Sequence, residues 1–430
     1  MKKRFLALLL VLTMVFSLMP AALAADTLSG SGTEDDPYLL ATAADLKAFR
    51  DMANAEASSK LCATLTADID LGGEAWTPFE GPTLGGAYAG TFDGANHTIK
   101  GLSVNSTSSK GVGLFGTVCG ATIKNLKVEG NVSASNSFFV GGIVGRTQTS
   151  ATIDSCSFAG TVTSTKKSGA SNATAGIVGK VNKGPVTITN CANTATVNGN
   201  GNIAAGILGY GGSNKVTIEN CYNTGAISGQ WYASGICGSS TIKEQTSSIR
   251  NCYNSGTITA TNGGNYYAGI TANFKGTISN SYYANPAADA LYNGTPATAI
   301  AITSPDGLAD KLGSAFKEDT AGANKGYPIL VWQAGEVVQP DPRIELTGPD
   351  TLWRTANEPQ PQATIAAACK DMDKDTHVDW TLTEGEGIVT LETPEGAANQ
   401  SVIVKATADG AGKAVITASA ANGITASLTD

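Results

Sequence analysis

The chain has 430 residues, a net charge of −8, 15% charged residues, 51 glycines and eight cysteines. A balance of this sign favours solubility and argues against a nucleic-acid partner, which would need a basic stripe. Nor are the lysines interleaved with aromatics as a phosphate-binding groove would require.

Residues 1–25 have the form of a secretory signal. Lys2, Lys3 and Arg4 supply the basic end, Phe5 to Phe16 the apolar run, and Ala22-Leu23-Ala24 an A-x-A cleavage site. The apolar run is short and followed by that site, so no membrane insertion is expected once the peptide is removed. Removal takes three positive charges and leaves about −11 on the mature chain.

Residues 26–110 read as an N-terminal cap with the first coils of a repeat array. Thr42-Ala43-Ala44-Asp45 has capping-box spacing, and Leu46, Phe49, Met52 and Ala53 give the following helix an apolar stripe. Leu65 to Leu71 alternates as a strand. The Gly90 to Leu102 run contains Thr98-Ile99, which reads as the start of a column that recurs downstream.

From 111 to 283 one pattern repeats. Gly113-Leu114-Phe115-Gly116, Gly142-Ile143-Val144-Gly145, Gly176-Ile177-Val178-Gly179, Gly206-Ile207-Leu208-Gly209 and Gly235-Ile236-Cys237-Gly238 bracket an apolar pair with glycines; Gly269-Ile270-Thr271-Ala272 is a decayed copy. After each comes a Thr-Ile or Ser-Ile step at Ile123, Ile153, Ile188, Ile218, Ile249 and Ile278. These isoleucines advance by 30, 35, 30, 31 and 29 residues. A period of that size means stacked supersecondary units, none able to bury its apolar face alone. The short β-branched runs exclude a helical repeat, so each unit is one coil of three short strands. The predicted fold is all-β, a parallel, right-handed β-solenoid. Counting Ile69 and Ile99 gives about eight rungs, roughly 40 Å at one strand spacing each.

Stacking turns sequence columns into ladders. Asn125, Asn190, Asn220, Asn251 and Asn280 fall where the coil must turn, a place suited to Asn in the left-handed region. Asn193, Asn223 and Asn254 form a second column three residues on. Cys156, Cys191, Cys221 and Cys252 form a third, predicted to be a ladder of buried thiols, with a rung-to-rung disulfide as the alternative. No C-x-x-C pair offers zinc converging ligands.

Gly-Ile-Val-Gly followed by Thr-Ile-x-Asn-Cys-Tyr-Asn-Thr-Gly resembles the GLUG repeat of secreted bacterial surface proteins, over about residues 30–333. The resemblance implies an adhesin-like role or an accessory region of a larger secreted enzyme.

Residues 284–333 read as a C-terminal cap: Leu308, Leu312 and Phe316 at helical spacing, then a strand at Gly326 to Trp332. Such caps are needed because an open solenoid end exposes core and strand edges. Residues 334–342, with two prolines, read as a linker. Beyond them seven strand-like runs in 343–430 predict a β-sandwich. Gly412 to Ala418 resembles a strand of bacterial Ig-like modules of group 2, and Cys369 is the domain's one cysteine, which rules out an intersheet bridge.

Chemistry-bearing candidates are few. Asp154 and Glu219 lie two rungs apart in the outward column after the isoleucine, near the upper limit for an inverting glycosidase pair. The structural alternative pairs Glu219 with Arg250 and Asp154 with Lys124. Asp68, Asp70 and Asp93 could share calcium or simply face solvent, and Asp371, Asp373 and Asp375 fail the EF-hand pattern. His97 and His377 lie in different domains and in no H-E-x-x-H, and Gly111 to Gly116 fits G-x-G-x-x-G only through the repeat glycines. No cofactor or metal is called for. Phe138-Phe139, Trp231-Tyr232 and Tyr266-Tyr267 precede the glycine brackets, and alternation exposes one of each pair. With Phe138, Trp231 and Tyr267 outward, they make an aromatic face for a glycan or a host or matrix protein. The expectation is a secreted or cell-surface, non-enzymatic spacer or adhesin; the alternative is a carbohydrate-active β-helix enzyme.

Overall fold

The computed structural model describes residues 28–430 apart from 84, 109, 167–171, 201–202, 242–246, 262–265, 285–298, 335–342, 349–361, 371–376, 386, 393–399, 408–412, 421–424 and 430. The signal segment and nearly all of the linker lie outside the described residues, as do Asp371, Asp373 and Asp375. The chain forms two compact units, Met1–Val337 and Val338–Asp430.

The first unit is a parallel β-solenoid. One coil, taken from Phe139, contributes Phe139–Gly141 to one sheet, Val144–Thr147 to a second and Ala151–Ser164 to a third. Each strand pairs in parallel with its equivalent in the next coil, so Ile123, Ile153, Ile188, Ile218, Ile249 and Ile278 lie side by side in register. All but the last are fully buried. Rungs about 4.8 Å apart therefore stack aliphatic side chains into a continuous core.

Toward the N-terminus this register departs from the expected one. Phe92, not Ile99, pairs with Ile123, and Ala63 and Tyr38 continue the column. Ile99 instead pairs with Ile69 and Val128, one column over. Thr98-Ile99 imitates the repeat step, but the coil ahead of it has already used Thr91-Phe92-Asp93 for that position. The helix α1, Ala43–Ala55, has the full capping box between Thr42 and Asp45 and buries Leu46, Phe49, Met52 and Ala53. Phe49 meets Tyr38, Phe79, Tyr88 and Phe92, and Phe79 stacks on Phe115 at 4.6 Å. These rings fill much of the first coils beside the aliphatic Ile69–Ile99–Val128 column.

Beyond its contact with the last coil, the described C-terminal segment also runs along the side of the solenoid. After Ile300–Ala301, which adds a parallel strand beside Tyr282–Tyr283, the chain turns back along the outside of the third sheet. The backbone carbonyl of Lys311, in α2 (Leu308–Leu312), accepts from Asn280 Nδ2 at 2.7 Å. Tyr253 packs against Phe316 and Tyr327, and its hydroxyl donates to the Pro328 carbonyl. Tyr222 Oη bonds Gln333 Oε1 at 2.8 Å, and Trp332 Nε1 donates to the Asn190 carbonyl at 2.9 Å. The segment is thus a strap crossing four successive coils. Its predicted last strand is only Ile329–Leu330, paired antiparallel with Phe316–Lys317 and followed by a 3-10 turn at Val331–Ala334. Helical spacing at Leu308 and Leu312 states that one face is buried, not against which surface. Here the outward tyrosines Tyr222 and Tyr253 supply it, and Ala192 and Ser157, their partners in earlier coils, leave room for the Trp332 indole.

The second unit has two antiparallel sheets. Arg343–Thr347, Gln362–Lys370, Ser401–Ala406 and Val389–Glu392 form one; Val378–Glu384, Val415–Ala420 and Thr425–Thr429 form the other. The seven strands fall on the seven predicted runs. Ile365, Val402, Val404 and Ile416 are buried, and Trp380 packs on both apolar clusters.

Candidate functional site

Each coil turns where its Thr-Ile step ends. Asn125, Ser155, Asn190, Asn220, Asn251 and Asn280 all take the left-handed backbone, with φ between 43° and 52°. Their amides link the coils: Asn220 Nδ2 donates to Asn190 Oδ1 at 3.1 Å, Asn251 to Asn220 at 3.1 Å, and Asn280 to Asn251 at 2.8 Å. One residue later Cys156, Cys191, Cys221 and Cys252 are fully buried and carry free thiols. Each thiol donates to the carbonyl two residues earlier, as from Cys191 Sγ to Thr189 O at 3.0 Å. Burial pushes the Cys191, Cys221 and Cys252 thiols well up, and that of Cys237 up to about 12. Thiols of this kind are packing groups, not nucleophiles.

The second Asn column is wholly buried. Asn193 Nδ2 donates to Asn223 Oδ1 and Asn223 Nδ2 to Asn254 Oδ1, both at 2.7 Å, opposite in sense to the first ladder. This column faces the first glycine of each bracket. A Cβ on Gly176 would lie 2.0 Å from Asn193 Oδ1, and one on Gly206 2.6 Å from the Asn223 amide carbon. The two halves of the repeat, glycine bracket and asparagine, therefore lock into one another across the coil.

The outward acids are occupied. Asp154 Oδ1 accepts from Thr189 and from Asn190 Nδ2 at 2.9 Å, and its Oδ2 from Ser155 at 3.1 Å. Glu219 pairs with Arg250. Lys124 turns to Asp93 at 3.3 Å, so the expected pairing with Asp154 is replaced by hydroxyl and amide donors. Asp68 caps the Thr98 amide and meets His97, Asp70 caps Gly72, and Asp93 caps Ala95. Among the described residues no three His, Cys, Asp or Glu side chains converge on a point, and no helix is long and apolar enough to cross a membrane.

The aromatic residues do not form a single face. Trp231 is 43% exposed. Phe138 is half-buried under Lys166, whose ammonium lies 4.2 Å from the ring centre. Both precede their strand by one residue, so they share a column three rungs, or about 14 Å, apart. Tyr267, expected outward, is half-buried instead. It pairs with Ala233 in the column of Val140, Thr174 and Ala204 and packs on the core. A one-residue difference in register reverses the face on which a side chain lies.

A further cluster was not anticipated. Arg146 and Lys180 are partners on adjacent rungs of the second sheet, with Tyr210 next. Both cations sit on the Phe139 ring, Lys180 at 4.3 Å and Arg146 at 5.7 Å, and Lys180 also lies 5.4 Å from the Tyr210 ring. Arg146 is 8% exposed, and its Nε and Nη2 meet no acceptor among the described residues. Burial lowers the affinity of both groups for their protons, and Arg146 adds to the effect on Lys180. A buried donor left unmade costs about 1–3 kcal/mol, whereas a cation–π contact returns about 0.5–2 kcal/mol and the two cations share one ring. On those magnitudes the cluster is under-compensated. Its signal lay in the sequence, since Arg146, Lys180 and Tyr210 each follow the second glycine of a bracket.

Residues 139–163 match the family model of the GLUG motif. A 162-residue stretch is 33% identical to halomucin of Haloquadratum walsbyi, covering 35% of this chain and 2% of halomucin. Another of 130 residues is 28% identical to a candidate Gly-rich membrane protein of Evansella cellulosilytica, covering 30% of this chain and 15% of that protein. The chain thus spans only a small part of the length of either relative. Among solved structures, a candidate immunoglobulin A1 protease from Bacteroides ovatus superposes with a TM-score of 0.51 over 70% of this chain and 94% of its own, at 22% identity. At that identity the likeness is one of fold. Residues 139–163 thus carry the GLUG motif within a chain whose first unit is a parallel β-helix.

Proposed function

We propose that the protein is a secreted, surface-displayed structural and adhesive protein without enzymatic activity, whose solenoid is a stiff spacer and whose second unit is an Ig-like module. The ligand is a glycan or a host or matrix protein. The observation that carries the binding role is Trp231, a large aromatic left 43% exposed. Such a residue has a ring face for a sugar or an apolar anchor for a protein. The resemblance to halomucin and to a Gly-rich membrane protein supports a place at the cell exterior, and the outward carboxylates, already held by neighbours, support a passive role.

The test is binding of the mature chain to a glycan array and to immobilised matrix proteins, with Trp231→Ala alongside. A loss of at least about tenfold in affinity is expected for the variant. Binding that survives Trp231→Ala removes the residue from the site, and turnover of any polysaccharide in the panel overturns the non-enzymatic reading.

A further inference from the structure

The geometry points to a binding site for an anionic sugar at Phe139, Arg146, Lys180 and Tyr210. We propose that a sulfate or carboxylate on a saccharide ring is held between Arg146 and Lys180 while the ring lies against the neighbouring aromatics. The inference rests on the glycan-binding reading above and adds the charge and the place of the ligand.

Three independent observations meet here. Register sets the two cations opposite one another on adjacent rungs, about 4.8 Å apart along the stack. That spacing suits one tetrahedral or planar anion bridging both, with the guanidinium giving a pair of N–H groups to two oxygens. The Arg146 side chain is more than nine-tenths buried, yet two of its nitrogens find no acceptor among the described residues. Among the described residues, neither Arg146 nor Lys180 forms an ion pair. Residues 111–285 carry 11 Lys and Arg against four acids, and of those acids Asp154 and Glu219 are bound to other groups. Among the described residues these cations have no paired countercharge.

The aromatics separate a sugar from other anions. Phe139 and Tyr210 both lie against Lys180, and Phe138 lies 6.1 Å from Phe139 with Lys166 4.2 Å from its ring centre. Rings beside cations present an apolar platform next to a charge, which fits a pyranose bearing an acidic substituent. A phosphodiester backbone would need a longer basic track, and the next residue in the column beyond Tyr210 is Ser239.

The experiment uses the mature full-length chain with a heparin tetrasaccharide, a hyaluronan tetrasaccharide and neutral cello-oligosaccharide as probes, read by calorimetry and by the shift in melting temperature. Binding of either anionic probe, weakened at least about tenfold by Arg146→Gln and by Lys180→Gln, is expected. Comparison of heparin with hyaluronan tells whether sulfate or carboxylate is preferred. Lys215→Gln removes the same charge from an exposed position and should leave affinity unchanged. Without ligand, Arg146→Gln should melt at or above the wild-type temperature, because the arginine is poorly satisfied where it stands; Lys180→Gln, at a half-exposed position, covers a failure of the first variant to fold. Equal losses in Lys215→Gln and Arg146→Gln would overturn the proposal in favour of diffuse attraction. A DNA duplex bound with the same Arg146 dependence would overturn it in favour of a phosphate backbone. Neutral sugars bound without the anionic ones would refute this site while leaving the adhesive reading standing; no saccharide bound at all would refute both glycan readings.

Discussion

Replacing Asn223 with alanine tests whether the buried asparagine column holds the coils together. The side chain accepts from Asn193 Nδ2 at 2.7 Å and donates to Asn254 Oδ1 at 2.7 Å and to Gly225 O at 2.9 Å. Its neighbours keep alternative partners: Asn193 Nδ2 also donates to Ala195 O, and Asn254 Oδ1 also accepts from the Gly256 amide. The full penalty for stranded groups is thereby avoided. Three bonds at roughly 1 kcal/mol net each, with a small cavity term, give a loss of about 3–4 kcal/mol. Gly206→Ala is the companion variant, because its Cβ would strike both the Asn223 amide and, at 2.2 Å, the Gly235 carbonyl. Removing Asn223 relieves only the first collision, so the double variant should remain less stable than Asn223→Ala alone. Urea unfolding of the mature chain followed by far-UV circular dichroism gives the totals, and native hydrogen exchange shows whether the loss centres on the coils at 193, 223 and 254. A cost below about 1 kcal/mol for Asn223→Ala, or losses that simply add in the double variant, would refute the interlocking of glycine bracket and amide ladder.

Two more expectations follow from the same structure. Trp332→Ala removes a 97%-buried indole together with its bond to the Asn190 carbonyl; a loss of about 3–5 kcal/mol is expected, seen as proteolytic cleavage within 308–334 while the coils stay protected. Stability should also fall in alkali. Unfolded thiols ionise near pH 8.5, whereas burial raises the pKa of Cys191, Cys221 and Cys252, so above that pH the folded chain holds more protons than the unfolded one. The loss is up to about 1.4 kcal/mol per pH unit for each such thiol, and urea midpoints measured from pH 7 to 10 check it; a flat profile would mean that these thiols are not buried.

Much of the solenoid was legible because its signals are local and repeated. The left-handed Asn turn, the Thr-Ile step and the Cys column recur with one spacing, so a single coil explains the others. Where a feature occurs once, the sequence was ambiguous. Thr98-Ile99 has the repeat's chemistry, but only pairing distinguishes it from Thr91-Phe92. Trp231 and Tyr267 both belong to aromatic doublets, but pairing aligns Tyr267 with the inward Ala233 and leaves Trp231 outside its strand. The strap announced its helical spacing but not the tyrosine column beneath it. Arg146 and Lys180 stand 34 residues apart in a stretch of irregular repeat length, and charge alone did not reveal that they meet. In the second unit the strand-like runs were plain, since alternation survives in each of them.

The strap also acts as a gauge of repeat number. Its two anchors, Lys311 on the Asn280 coil and Trp332 on the Asn190 coil, are separated by a fixed count of intervening turns. Gaining or losing one turn between them would move an anchor point by about 4.8 Å, farther than a hydrogen bond can stretch. Duplication upstream of Asn190 would disturb, among the described contacts of the strap, that of Lys127 with the Trp332 ring. Repeat number in the solenoid is thus tolerant of change on its N-terminal side and resists it beneath the strap.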